Sequence, residues 1–136
     1  MSTSRGGATR GAVRVTLRAE GAAILAVAIA VFHALGGSWG LFAALFLVPD
    51  VSLLGYLAGA RVGAPIYNAA HSLLGPLALG AVGVALTGLA SPLLLVAAIW
   101  IAHVGFDRAL GYGLKYATGF RDTHLSSAEP TPNTRR

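Results

Sequence analysis

The sequence predicts an all-α membrane protein, a four-transmembrane-helix bundle with both termini cytoplasmic, and three observations predict it. Hydrophobic residues fill 55% of the 136 positions and charged residues only 11%, against about 25% charged in a soluble domain. The apolar runs come near the roughly 20 residues that cross a bilayer as a helix, and the length holds four of them. Basic residues gather before the first run, between the second and third, and after the fourth. That alternation places both ends on the cytoplasmic side.

The spans are expected at about 17–35, 38–60, 63–87 and 91–114, forming one domain over 14–125. Arg5, Arg10, Arg14 and Arg18 precede the first span. A signal peptide also begins with a basic segment, but here that segment is long and Glu20 stands directly before the apolar run, so an uncleaved helix is expected. Gly36-Gly37 closes the first span, Ala60-Arg61-Val62-Gly63 the second, and Gly88-Leu89-Ala90-Ser91-Pro92 the third. Lys115, Arg121, Arg135 and Arg136 follow the last. Residues 1–13 read as a basic disordered tail and 126–136 as a polar, proline-bearing one. With no cysteine, a disulfide framework and a thiolate metal site are both excluded. The net charge of +5 follows the membrane pattern, so no nucleic-acid partner is expected.

Polar residues inside apolar spans are costly and mark functional candidates. Glu20 begins the first span, Asp50 lies deep in the second, Tyr67, Asn68 and His71 open the third, and His103, Asp107 and Arg108 occupy the later half of the fourth. All fall toward the cytoplasmic half, which suggests a cup open to the cytoplasm or inner leaflet. At about 100° per residue, Trp100, His103 and Asp107 share one ~60° arc, and Tyr67, Asn68, His71 and Gly75 share ~100°. Arg108, Tyr112 and Lys115 would lie on a second face of the last helix. Pro49, directly before Asp50, removes a backbone hydrogen bond and kinks the span. Asp50, His71, His103 and Asp107 are therefore expected to converge in one cavity.

His103-x-x-x-Asp107 sets an imidazole and a carboxylate one helical turn apart. With His71, Asp50 and Glu20 it forms a nitrogen and oxygen set suited to Zn, Mn or Fe(II), or to metal-free acid–base chemistry. Asp50, His71, His103 and Asp107 are the candidate metal ligands, and with Glu20 the candidate catalytic groups. A hydrogen-bonded His–Asp pair that only fixes helix packing is the structural alternative. Two histidines on neighbouring helices could also ligate a haem, but adjacent acids and the small Ala/Gly-rich girth argue against one. His33 stands alone near the outer end, and Trp39, Tyr112 and Tyr116 suit the aromatic belts. Asp122-Thr123-His124 follows the last span and could lid the cup.

Several strings read together: Arg18-Ala19-Glu20-Gly21, Pro49-Asp50-Val51-Ser52-Leu53-Leu54-Gly55-Tyr56, Tyr67-Asn68-Ala69-Ala70-His71, and Ala102-His103-Val104-Gly105-Phe106-Asp107-Arg108 continuing through Lys115-Tyr116 to Asp122-Thr123-His124-Leu125. From about Leu17 to Leu125 the chain resembles the small bacterial integral-membrane family catalogued as domain of unknown function 4260. The resemblance implies a four-helix protein of the bacterial cytoplasmic (inner) membrane, and marks Glu20, Asp50, Tyr67, Asn68, His71, His103, Asp107, Arg108, Tyr112, Lys115, Asp122 and His124 as matching the family pattern. It carries no established activity. The chain departs from the pattern at Ser72-Leu73-Leu74, where an aromatic is expected after the histidine.

These observations favour a membrane-embedded enzyme acting on a lipophilic or amphiphilic molecule. Tyr67, Asn68, Trp100, Arg108, Tyr112, Lys115, Asp122 and His124 would bind that substrate, with Arg108 and Lys115 neutralising an anionic head. A proton-coupled transporter or carrier subunit using the His–Asp chain as a relay is the runner-up, and a non-catalytic partner subunit the third reading. The small pairs Ala98/Ala102 and Gly105/Ala109 permit close helix approach, so a two-fold homo-oligomer is expected.

Overall fold

The computed structural model describes residues 9–125, so the C-terminal tail and most of the N-terminal one lie outside the described residues. Five α-helices and two 3₁₀ segments make up the described chain, with no strand among them. Helix α1 (Gly11–Ala34) ends at Gly36, whose φ of 75° is open to glycine at little cost. There the amides of Gly36 and Gly37 donate to the carbonyls of His33 and Phe32, a Schellman closure. Ser38 caps the short α2 (Trp39–Leu45) by accepting from the Leu41 amide.

Beyond Leu45 the second span tightens. Pro49 cannot donate, and the chain continues as a 3₁₀ segment, Val48–Ala58, rather than the α-helix expected to about residue 60. Gly59, at φ 96°, reverses the chain directly into α3 (Ala60–His71), so Arg61 lies in the first turn of that helix rather than in a loop.

The third span is not continuous. It breaks at Ser72-Leu73, and α4 (Leu74–Thr87) resumes at an angle of 42°. Gly75-Pro76 supplies the reason: proline lacks the amide that would bond back to Ser72 and disfavours helical geometry just before itself. A 3₁₀ turn (Gly88–Ala90) then leads to α5 (Pro92–Leu110), with Ser91 as its cap and Pro92 in its first turn. Gly111, at φ 92°, stops α5 four residues before the expected end of the span. Tyr112 and Lys115 therefore do not extend a face of α5.

Small residues set the crossings. An added Cβ at Gly105 would meet the Leu25 amide nitrogen at 2.7 Å and the Gly21 carbonyl at 2.9 Å, so α1 and α5 touch backbone to backbone. Ala98, Ala102 and Gly105 are buried inside the chain. These small residues are used in intrachain packing and offer no surface to a second copy. Phe32, Ala98 and Ile99 form the core with Leu41, Phe42, Leu45 and Phe46 around it.

Three helical stretches are long and apolar enough to cross a membrane: Gly11–Ala34, Trp39–Ala58 and Pro92–Leu110, with mean hydropathies of 1.9, 1.9 and 1.7. The bent α3–α4 pair makes a fourth if it crosses as one broken span. The outside of the bundle is greasy, with Leu57 87%, Leu74 79%, Leu89 74% and Leu86 71% exposed. Exposed apolar surface on this scale is compatible with a lipid surround.

Candidate metal centre

Three elements supply the candidate ligands. Asp50 sits in the first turn of the 3₁₀ segment, His71 is the last residue of α3, and His103 and Asp107 lie one turn apart on α5. Their side chains converge. His103 Nε2 is 3.1 Å from His71 Nε2, and Asp50 Oδ1 is 3.2 Å from His71 Nε2 and 3.4 Å from His103 Nε2. Asp107 Oδ2 is 3.4 Å from His71 Nε2 and 3.6 Å from His103 Nε2. The remaining pair, Asp50 with Asp107, lies within 4.8 Å.

A tetrahedral shell with bonds of about 2.0–2.2 Å has ligand-to-ligand edges of roughly 3.3–3.6 Å. Five of the six edges here cluster around that range. His71 Nδ1 is 3.0 Å from the Tyr67 carbonyl, which can only accept, so Nδ1 bears a proton, and in the neutral ring Nε2 presents its lone pair to the group. In that form a single lone pair faces both His103 Nε2 and Asp50 Oδ1, and a cation at the centre could engage all four groups together.

Tyr67 orients His71 and Asp107 as an outer ligand shell does, whereas the buried Nδ1 of His103 has no hydrogen-bond partner among the described residues. The Tyr67 ring stacks on His71 with centroids 3.7 Å apart, and its hydroxyl donates to Asp107 Oδ2 at 3.4 Å. Phe46 packs edge-on against His103. The two histidines are buried, Asp107 is 14% exposed and Asp50 39%, so access is from the Asp50 side.

Beyond α5 the chain folds back as a strap. Asn68 Nδ2 donates to the Lys115 carbonyl at 2.8 Å and Asn68 Oδ1 accepts from the Lys115 amide at 2.7 Å. Lys115 Nζ lies over the Tyr67 ring, 4.8 Å from its centroid, and donates to the Phe120 carbonyl at 2.8 Å. Burial lowers the Lys115 ammonium from its usual range, and Asp107 partly restores it. His124 Nδ1 accepts from the Leu114 amide at 3.0 Å. Burial, then the neighbouring Arg108 charge, lowers this histidine.

Residues 14–128 match the family described as Domain of unknown function (DUF4260). The chain belongs to the DUF4260 family. No curated protein and no solved structure matches it.

Within this DUF4260 chain, Tyr67 and Asn68 adjoin the group and its strap, and Trp100 donates to the Ala70 carbonyl at 2.5 Å beside it. Arg108 donates to the His71 carbonyl at 3.3 Å, holding the end of α3. Glu20 is not brought to the group: Gly21 faces α5 at Arg108 and Ala109, which turns Glu20 outward to an exposed position. Tyr112 is 59% exposed, and Asp122 lies in an exposed turn, accepting from the Tyr116 amide through its carbonyl. The sequence reading missed Ser52, whose buried Oγ has no hydrogen-bond partner among the described residues. Its place two residues after the deep Asp50 was the only signal.

Proposed function

We propose that this chain is a membrane-embedded enzyme that uses a divalent cation held by Asp50, His71, His103 and Asp107 to act on the polar group of a lipophilic or amphiphilic molecule. The observation that carries the reading is the set of five donor distances, 3.1–3.6 Å, among two buried imidazoles and two carboxylates. The mixed nitrogen and oxygen set suits Zn, Mn or Fe(II). A cation there would polarise a carbonyl or phosphoryl oxygen or activate a bound water. Tyr67 holds Asp107 in place, and the Tyr67 carbonyl keeps the His71 Nε2 lone pair inward. Asp50, half exposed, faces the open side where a substrate would approach. In this reading both termini face the cytoplasm and substrate arrives from the inner leaflet or the cytoplasm.

Elemental analysis of protein purified in mild detergent tests the reading. About one equivalent of a transition metal is expected, lost in His71→Ala and His103→Ala while both variants remain folded and inserted. Metal-free wild-type protein that does not take up Zn, Mn or Fe(II) on titration would end it.

The contiguous chain Tyr67–Asp107–His71–His103–Asp50 also favours a second reading, a proton relay in a transporter or carrier subunit. Proton uptake by metal-free protein in vesicles, abolished in His103→Ala, would select it. If the group serves only packing, His103→Ala instead removes a buried ring from between α5, His71 and Phe46, and loss of folded protein with no metal ever bound is the expected outcome.

A further inference from the structure

A cavity of about 250 Å³ lies beside the His/Asp group, lined by Leu45, Val48, Pro49, Ser52, Ala70, Val96, Ile99 and Trp100. Each element that carries a ligand also carries a wall. Pro49 precedes Asp50, Ala70 precedes His71, and Ile99 and Trp100 lie one turn before His103 on the same side of α5. The walls are hydrocarbon except at Ser52, whose buried Oγ has no partner among the described residues. A buried hydroxyl without a partner is uncommon in a finished core and points to a ligand atom.

Resting on the metal-centre reading, we infer that this cavity is the subsite for the hydrocarbon segment next to the reacting polar group of a single-chain amphiphile. Ser52 Oγ donates to that polar group. An apolar cavity of about 150 Å³ holds benzene, six carbon atoms, so about 250 Å³ takes roughly ten non-hydrogen atoms. That matches one alkyl or alkenyl segment. Trp100 is anchored for the purpose: its indole nitrogen is tied to the Ala70 carbonyl, and Gly75 leaves room for the ring, since a Cβ there would meet Trp100 Cη2 at 2.7 Å.

The chain has two tryptophans, Trp39 and Trp100, so Trp39→Phe leaves Trp100 as the sole reporter. The probes are 10-bromodecan-1-ol and 1-bromodecane, titrated into that variant in lipid nanodiscs and read by contact quenching of Trp100. A parallel Co²⁺ titration reads the metal centre by its visible absorption. Saturable quenching is expected, with affinity reduced at least tenfold by Ala70→Leu and by Val96→Phe, which fill the cavity from two different helices. Ser52→Ala should weaken the alcohol roughly fivefold, as for a lost hydrogen bond, and leave the bromoalkane unchanged. Quenching that rises linearly with the probe-to-lipid ratio, or that neither cavity-filling variant alters, overturns the subsite even where Co²⁺ binds. Saturable quenching without Co²⁺ binding upholds the chain subsite and removes the metal reading instead.

Discussion

His71 is held twice before any ligand arrives, by the Tyr67 carbonyl at Nδ1 and by the Tyr67 ring against its face. One residue thus fixes the proton at His71 Nδ1 through its backbone carbonyl and, through its hydroxyl, the position of Asp107. Tyr67→Phe keeps the stack and loses only the hydroxyl, so metal affinity is expected to fall by about tenfold to a hundredfold without unfolding, measured by competition with a chromophoric chelator. His124 lies outside the spans and acts differently. Its bond from the Leu114 amide needs an unprotonated Nδ1. Because burial and Arg108 lower its folded pKa, its contribution is fully present above the unfolded value of about 6.5. It is lost as pH falls from there through the lowered folded value. Exchange of the Leu114 amide should therefore accelerate as pH drops below about 6.5, after correction for intrinsic rates, and His124→Gln should remove that pH dependence.

Helices in this chain are placed by what they lack. α1 and α5 cross where Gly21 and Gly105 have no side chain, and Gly105→Leu would drive carbon into the Leu25 amide and the Gly21 carbonyl. Overpacking of that kind costs at least about 1–3 kcal/mol. Here the obstruction is backbone, so loss of thermally stable protein in detergent is the expected outcome. Gly105→Ala should be milder but still lower the melting temperature. The break between α3 and α4 matters for function, because it makes His71 a helix end whose carbonyl Arg108 holds. Gly75-Pro76 announced that break, yet the surrounding hydropathy read as one unbroken span. The 3₁₀ segment was half legible: Pro49 predicted a kink, while the tighter winding to Ala58 depends on packing against α3.

At the scale of the molecule, Arg14 and Arg18 meet beside Gly111, where Arg18 Nε donates to the Ala109 carbonyl and Arg14 Nε to that of Leu125. They add positive charge to the C-terminal end of α5, where it opposes the helix dipole, and on the proposed orientation that end faces the cytoplasm. The cysteine-free sequence makes that side measurable. A single cysteine at Arg61 should react with an impermeant maleimide only in inverted inner-membrane vesicles, and one at Ser38 only in intact spheroplasts. The reverse pattern would turn the bundle over. Metal removal is the second whole-molecule test. A chelator should lower the melting temperature by an amount that grows with the free metal concentration it replaces, and the shift should vanish in His103→Ala.

Run length, hydropathy and turn residues are local properties of a chain, and they determined the apolar segments and the breaks at Gly36 and Gly88. The cost of polar groups in apolar spans was equally local, so Asp50, His71, His103 and Asp107 stood out before any contact was known. Spacing alone paired His103 with Asp107, because four residues make one turn of a helix. Only the tertiary structure decided that Asp50 and His71 join them, since that depends on where α3 ends, how the second span is wound, and how closely α1 lets α5 approach. The same long-range packing turned Glu20 outward, enclosed Ala98, Ala102 and Gly105 within the chain, and folded Lys115 back onto Asn68. A periodic pattern says which side of a helix a residue occupies. What that side faces is set by other helices, through contacts between residues far apart in sequence.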